Sequence, residues 1–218
     1  MHADIQNVFT PALAIGDPAR FAGRQEQLDH VASALFSEGT QIVIFGNRGV
    51  GKSSLARQLE GLAKGDISVI DRLGLKPSAI PDYLVVSIEC DDTIEDVRAL
   101  VVRLLTDDTA LAPWIPFKVE KKTSSSDASA GLNVKVITLG GKVSDTDTLE
   151  REAIETDVFS AFGNALNHIL TSGVVKGVLF IIDEVDRIRN RSDLASVIRS
   201  RGADPRVKFA LIGVGTTP

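Results

Sequence analysis

The stretch from Gln41 to Leu55 constrains the fold more than any other part of the chain. Gln41-Ile42-Val43-Ile44-Phe45 is a short apolar run with β-branched residues. Gly46-Asn47-Arg48-Gly49-Val50-Gly51-Lys52-Ser53 follows, and Ser54-Leu55 opens a helical pattern. A strand must therefore pass through a glycine-rich turn straight into a helix, in the order G-x-x-x-x-G-K-[ST]. That order is the phosphate-binding P-loop, and each part has a physical role. The glycines permit backbone angles that a Cβ forbids, so the chain can wrap an anion closely. Successive N–H groups then point inward as an anion nest. The helix start adds unpaired N–H groups and the positive end of its dipole. Lys52 brings a cation to the β- and γ-phosphates. The Ser53 hydroxyl suits Mg²⁺, a hard ion that takes few protein ligands.

The 218 residues suffice for one α/β domain with a sizeable core. A net charge of −5 does not point to a nucleic-acid-coating protein; such contact would need a local basic face. Cys90 is the single cysteine, so no internal disulfide can form, which fits a reducing cytoplasm. Cys90 reads as a small buried strand-end residue. His2, His30 and His168 lack metal-ligand spacing and read as surface or helix residues. The N-terminus lacks the basic start and apolar core of a signal peptide. No apolar run approaches the ~20 residues that span a bilayer. The expectation is a soluble, cytoplasmic protein with no membrane partner.

Along the chain, residues 1–24 read as an extended lead-in. A helix is expected from Gln25, with Leu28, Val31, Ala32, Leu35 and Phe36 at helical spacing and Gly39 past its end. After the P-loop strand at 41–45 comes a helix from Lys52 to about Ala63. A connection with room for a short helix follows. Tyr83 to Ile88 is a near-continuous apolar run that suits a buried parallel strand. Asp91, Asp92 and Thr93 offer caps for a helix from about Ile94 to Leu105. Pro113-Trp114-Ile115-Pro116 reads as a turn that tucks in an aromatic ring. The segment 116–147 reads as an insertion, with Leu132 to Val143 forming a β-hairpin around Gly140-Gly141. It serves either as solvent-facing decoration or as a partner contact. A helix from about Thr148 to Leu170 leads to the most hydrophobic strand, Val178 to Ile182. A helix from Ser192 to Ser200 and a fourth strand, Val207 to Val214, complete the reading.

The strand at 178–182 ends in Asp183-Glu184. A fully buried strand is apolar on both faces, so its first polar residues emerge at the carboxyl end of the sheet, where open α/β folds bind ligands. This is the Walker B pattern. Asp183 would hold Mg²⁺ directly or through water. Glu184 would polarise the water that attacks the γ-phosphate. Thr216, just past the fourth strand, either reaches the γ-phosphate or that water, or is an ordinary turn residue.

Phe21-Ala22-Gly23-Arg24-Gln25-Glu26, the P-loop, and Ile181-Ile182-Asp183-Glu184-Val185-Asp186-Arg187 together resemble the P-loop ATPases of the AAA+/STAND superclass. The likeness is nearest to large bacterial STAND-type ATPases, which are similar in turn to initiator and origin-recognition ATPases. It implies a three-layer α/β/α sandwich with a mostly parallel sheet of strand order 5-1-4-3-2, running here from 25 to 218. It implies ATP and Mg²⁺ as ligands, with Phe21, Gly23 and Arg24 folding over the adenine. Phosphate contacts fall to Gly46, Asn47, Arg48, Gly49, Val50, Gly51, Lys52, Ser53 and Ser54, and metal contacts to Ser53 and Asp183. Lys52 and Glu184 carry the catalysis. It also implies a switch that assembles with itself or with a defence-complex partner and activates an effector, as many bacterial members do against phage. The fifth strand, the arginine finger and the lid have no counterpart, so the expectation is either the N-terminal part of a longer protein or a sheet that another chain completes, weak or inactive as an isolated fragment. The competing readings are a nucleic-acid initiator or loader, and a module that binds nucleotide without hydrolysing it.

Overall fold

The computed structural model describes residues 14–17, 20–21, 23–75, 81–107, 111–115, 117–122, 133–138, 153–155 and 157–215; for 117–155 only the backbone of three strands is described. The element order is α1 (Gln25–Phe36), β1 (Ile42–Gly46), α2 (Lys52–Ala63), α3 (Ile67–Arg72), β2 (Tyr83–Glu89) and α4 (Val97–Thr106). Then come β3 (Phe117–Lys122), β4 (Asn133–Thr138), β5 (Ala153–Glu155), α5 (Val158–Thr171), β6 (Gly177–Asp183), α6 (Leu194–Arg201) and β7 (Val207–Val214).

Four parallel strands form the main sheet in the order β1-β7-β6-β2. The alternation of β6 divides the core in two. Val178, Phe180 and Ile182 face α4, α5 and α6, whereas Leu179 and Ile181 face α1, α2 and α3. All of these β6 side chains are buried, as a central parallel strand covered on both faces requires. Aromatic packing concentrates on one face. The Phe180 ring stacks on Phe209 with centroids 5.0 Å apart and meets Phe162 edge-on at 5.5 Å. Among the described strands β1 is an edge, and Val43 on it is 55% exposed.

At the opposite end of the sheet from the P-loop, Lys208 of β7 is buried. Its ammonium donates to the carbonyls of Ser37 and Thr40, just past the end of α1. A cation there satisfies carbonyls that a helix end and its turn leave without partners.

The α/β architecture and the four core strands agree with the expectation, but four local readings do not. The inserted sheet is three-stranded, in the order β3-β4-β5. β4 pairs antiparallel with β3, upstream, and with β5, downstream, so its downstream partner begins at Ala153 rather than directly after Gly140-Gly141. That Gly-Gly pair lies outside the described residues. The register puts Phe117, Val119, Val134, Val136 and Ile154 on one face, so pairing follows the apolar alternation over a longer loop. The helix expected from Thr148 begins only at Val158. Asp157 caps it by accepting from the N–H groups of Phe159 and Ser160, and residues 153–155 are strand. Likewise Asp96, not the Asp91-Asp92-Thr93 group, caps α4, accepting from Ala99 N at 2.7 Å. Trp114 sits in a short 3₁₀ turn and is 42% exposed, so its ring is not tucked in.

Candidate functional site

β1 and β6 deliver their carboxyl ends to the same edge of the sheet, one strand apart, with β7 between them. The turn leaving β1 has positive φ at Gly49 (76°) and at Gly51 (82°). Gly51 is the N-cap of α2, in the left-handed region where a Cβ is strained. The chain thus turns from the loop into α2 at Gly51.

Lys52 and Ser53 are the first residues of α2. The Lys52 ammonium donates to the Gly46 and Asn47 carbonyls, each at 2.9 Å. It therefore lies back across the loop, over the space the loop encloses. The Ser53 hydroxyl donates to Asp183 Oδ2 at 2.9 Å. This bond joins residues 130 positions apart and brings the two motifs into one site. A cavity of about 440 Å³ opens beside them, lined by Ser53, Arg57, Ser87, Glu89, Asp183 and Glu184 among others.

The end of β6 is held by its own polar groups. Cys90 N donates to the Asp183 carbonyl at 2.9 Å, which continues the β2–β6 ladder past Glu89. Glu184 N donates to Asp183 Oδ1 at 2.8 Å. Glu184 itself has φ 51° and ψ 39°, the one non-glycine residue with positive φ among the described residues. Such a conformation costs of order 1–3 kcal/mol and persists where surrounding contacts impose it. Here the short 3₁₀ turn Val185–Arg187 imposes it, closed by Arg187 N donating to the Glu184 carbonyl at 2.9 Å.

Three neighbours were not legible as site residues. Arg187 Nε lies 3.2 Å from Glu184 Oε2 and 3.7 Å from Asp92 Oδ1. Asp186 Oδ1 accepts from Val214 N at 2.8 Å, which fastens the end of β7 to the turn after β6. Arg57, on α2, pairs with Glu60 at 2.8 Å at the rim of the cavity. The i,i+3 spacing of Glu184 and Arg187 is the one sequence signal that could have pointed to the first of these.

The remaining expected residues fall in different places. Arg24 precedes α1, and its guanidinium carbon lies 3.4 Å from where a Cβ on Gly51 would be, so it rests over the loop. Gly23 is exposed with φ 76°. Phe21 is 3% exposed, in the core beneath Arg72, whose guanidinium is 5.4 Å from the ring centroid. Its ring packs into the core formed with α1, α2 and α3. Ser54 is buried, and its hydroxyl accepts from Ile15 N at 3.0 Å. Gln58 donates to the Ile15 and Gly16 carbonyls at 3.1 and 3.0 Å, so these two α2 residues pin the lead-in to the helix. Asn47, Arg48, Gly49 and Val50 are exposed at the tip of the loop. Thr216 lies outside the described residues.

Cys90 is fully buried, and burial pushes its thiol up to about 12, with Arg103 opposing and nearby carboxylates reinforcing the shift. A thiol so far above neutral carries no nucleophilic role. Among the described residues no three His, Cys, Asp or Glu side chains form a metal-binding group, and no helix is long and apolar enough to cross a membrane.

A glycine-rich turn between a parallel strand and a helix, joined through a serine hydroxyl to the aspartate ending a second strand, defines a P-loop nucleoside triphosphatase fold. Within that class the chain belongs to the AAA ATPase domain family, whose model matches residues 20–200. A comparison with curated proteins gives no match.

Proposed function

We propose that this chain binds ATP with Mg²⁺ between the P-loop and the end of β6 and hydrolyses it as the core of a STAND-type switch. The observation that carries the site assignment is the Ser53–Asp183 contact at 2.9 Å. Ser53 and Asp183 would hold the ion, Asp183 directly or through water. The donor set, a hydroxyl and a carboxylate, is hard oxygen chemistry and fits Mg²⁺. When bound, that ion would offset the charge of the β- and γ-phosphates.

The protein's own groups do the rest. N–H groups at the start of α2 bind phosphate oxygens. Lys52 exchanges two carbonyl partners for phosphate oxygens of opposite charge. Glu184 orients and polarises the attacking water. Arg24, over the loop, marks where the lead-in approaches the nucleotide. Asp186 joins the turn after β6, which carries Glu184, to the end of β7. That linkage supports a switch in which nucleotide state governs assembly with further copies or with a partner that carries the effector. The setting, defence of a bacterial cell against phage, rests on the resemblance of the three motifs to STAND proteins.

The test is made on the whole chain with wild type and Glu184→Gln. ATP binding, phosphate release and molar mass in solution are measured with ATP and with ADP. Glu184→Gln should bind ATP as wild type does, release no phosphate, and stay in the ATP-dependent assembly. An identical mass with ATP, ADP and no nucleotide would remove the switch from the account. DNA affinity that rises with ATP and falls steeply with salt would instead identify a nucleic-acid initiator or loader.

A further inference from the structure

We propose that Arg189, Arg191 and Arg199, on the loop after β6 and on α6, form a surface that binds the phosphate backbone of a nucleic acid without regard to base sequence. The surface is separate from the nucleotide site and does not depend on the reading given for it. The chain carries a net charge of −5, yet residues 187–206 hold six arginines against two aspartates and no other charged residue. That is a local basic face on an acidic protein. Partners divide the six arginines. Arg187 meets Glu184 and Asp92, Arg206 meets Asp204, and Arg201 donates to the Phe159 carbonyl at 2.7 Å. Arg189, Arg191 and Arg199 are exposed, and their guanidiniums have no hydrogen bond or ion pair among the described residues. Elsewhere Arg57, Arg98 and Arg103 each meet a carboxylate, at 2.8, 3.2 and 2.7 Å. Asp193 in the same loop and Glu95 beside it are exposed carboxylates, and neither pairs with the three.

The backbone holds these arginines in place. Asn190, between the first two, donates its N–H to the Glu95 carbonyl at 2.9 Å and bridges to Asp96, which fastens the loop to the start of α4. Arg191 lies in the turn that opens α6, its carbonyl accepting from Leu194 N at 3.0 Å. Arg191, Ala195 and Arg199 recur at four-residue intervals, so they share one side of that helix over about 12 Å. Ser192, Ser196 and Ser200 are also exposed and add short hydroxyls. An acidic protein and a nucleic acid both have the complementary charge, and the side chains favour the nucleic acid. A protein–protein patch is built round an apolar centre depleted of charge. None of the large exposed apolar side chains among the described residues lies between Arg187 and Arg206. Phosphate is instead met by arginine together with serine hydroxyls, and the guanidinium fork matches two phosphate oxygens at once. Like charges gathered without counter-charges repel one another, and a polyanion relieves that repulsion.

The experiment is fluorescence anisotropy of the whole chain with labelled duplex DNA, single-stranded DNA and single-stranded RNA of mixed sequence, and with labelled poly-glutamate. Three phosphate contacts to a duplex set a slope of about −2.7 in log affinity against log salt, a loss of about 40-fold between about 50 and 200 mM. A chain carrying Arg189→Gln, Arg191→Gln and Arg199→Gln should bind at least about tenfold more weakly at low salt and lose about 2–3 from that slope. Each single substitution should take about 1 from it. A control with Lys64→Gln, Arg72→Gln and Lys176→Gln loses the same charge elsewhere and should bind as wild type does. Melting scans confirm that both triple variants are folded. Lys52→Ala should leave the affinity unchanged, and so should ATP or ADP, because the P-loop is a different anion site. Salt-dependent binding to any of the three nucleic acids that the arginine variant loses and the control keeps supports the proposal. No binding, equal losses in variant and control, loss with Lys52→Ala, or binding only with ATP overturns it. Poly-glutamate bound as tightly as the nucleic acids also overturns it and assigns the surface to an acidic protein.

Discussion

Replacing Lys52 by alanine tests the P-loop reading at the group that contributes most to it. In the free protein the ammonium donates to two carbonyls at 2.9 Å, so ligand binding is an exchange rather than a simple gain. Hydrogen bonds from a charged donor contribute roughly 1.5–3 kcal/mol each, so about 3–6 kcal/mol is given up. A unit charge about 4 Å from a phosphate oxygen at an effective dielectric near 20 gains about 4 kcal/mol, and contacts to both β- and γ-phosphates gain about 8. The difference, of order 2–5 kcal/mol, predicts that Lys52→Ala weakens ATP binding by about 30-fold at the least. Titration calorimetry with Mg²⁺ present reads this directly. The folded state should be little changed, because Lys52 is partly exposed and contacts only its own loop. A melting scan checks that the protein titrated is folded. If folded Lys52→Ala binds ATP within about threefold of wild type, the exchange argument is wrong and phosphate does not sit over this loop.

Two predictions concern stability. Phe180→Ala removes a fully buried ring that stacks on Phe209 and meets Phe162 edge-on. It should cost about 3–5 kcal/mol in denaturant unfolding. Asp91 is held down to about 2 by the Thr93 hydroxyl, by Arg103 at 2.7 Å and by the Thr93 N–H. Its folded value lies below its unfolded one, so its contribution is complete above about pH 4 and is lost as pH falls towards about 2. Denaturation midpoints of wild type should therefore fall more steeply in that window than those of Asp91→Asn.

The site was largely legible because its chemistry demands local sequence. A phosphate nest needs glycines at fixed offsets, and a buried strand that ends at the ligand must switch abruptly from Val178-Leu179-Phe180-Ile181-Ile182 to Asp183-Glu184. β6 and β7 were legible for the same reason, since strands covered on both faces are apolar nearly throughout, and β1 and β2 were legible as apolar runs although one face of each is partly open. What was not legible depends on partners far apart in sequence. β4 alternates well enough to be a strand, but nothing local says that it also pairs with Phe117–Lys122 or that its downstream partner waits until Ala153. The start of α5 turns on Asp157 as cap, one among several acidic residues there, and the start of α4 on Asp96 rather than Asp91. Ser54 was expected among the phosphate contacts, and nothing local said that its hydroxyl accepts from Ile15 N or that Gln58 donates to the Ile15 and Gly16 carbonyls. Phe21 matched a motif associated with the nucleotide, yet its ring is 3% exposed because α1, α2 and α3 close around it.

The claim on which the account stands is that one triphosphate and one metal bridge the start of α2 and the end of β6. Anomalous diffraction from crystals of the Glu184→Gln chain grown with ATP and Mn²⁺ tests it without reliance on activity. A single manganese peak is expected in contact with Ser53 Oγ and facing the Asp183 carboxylate, with the triphosphate against Lys52. A manganese peak elsewhere, with Ser53 still bonded to Asp183 and Lys52 still on the Gly46 and Asn47 carbonyls, would contradict it.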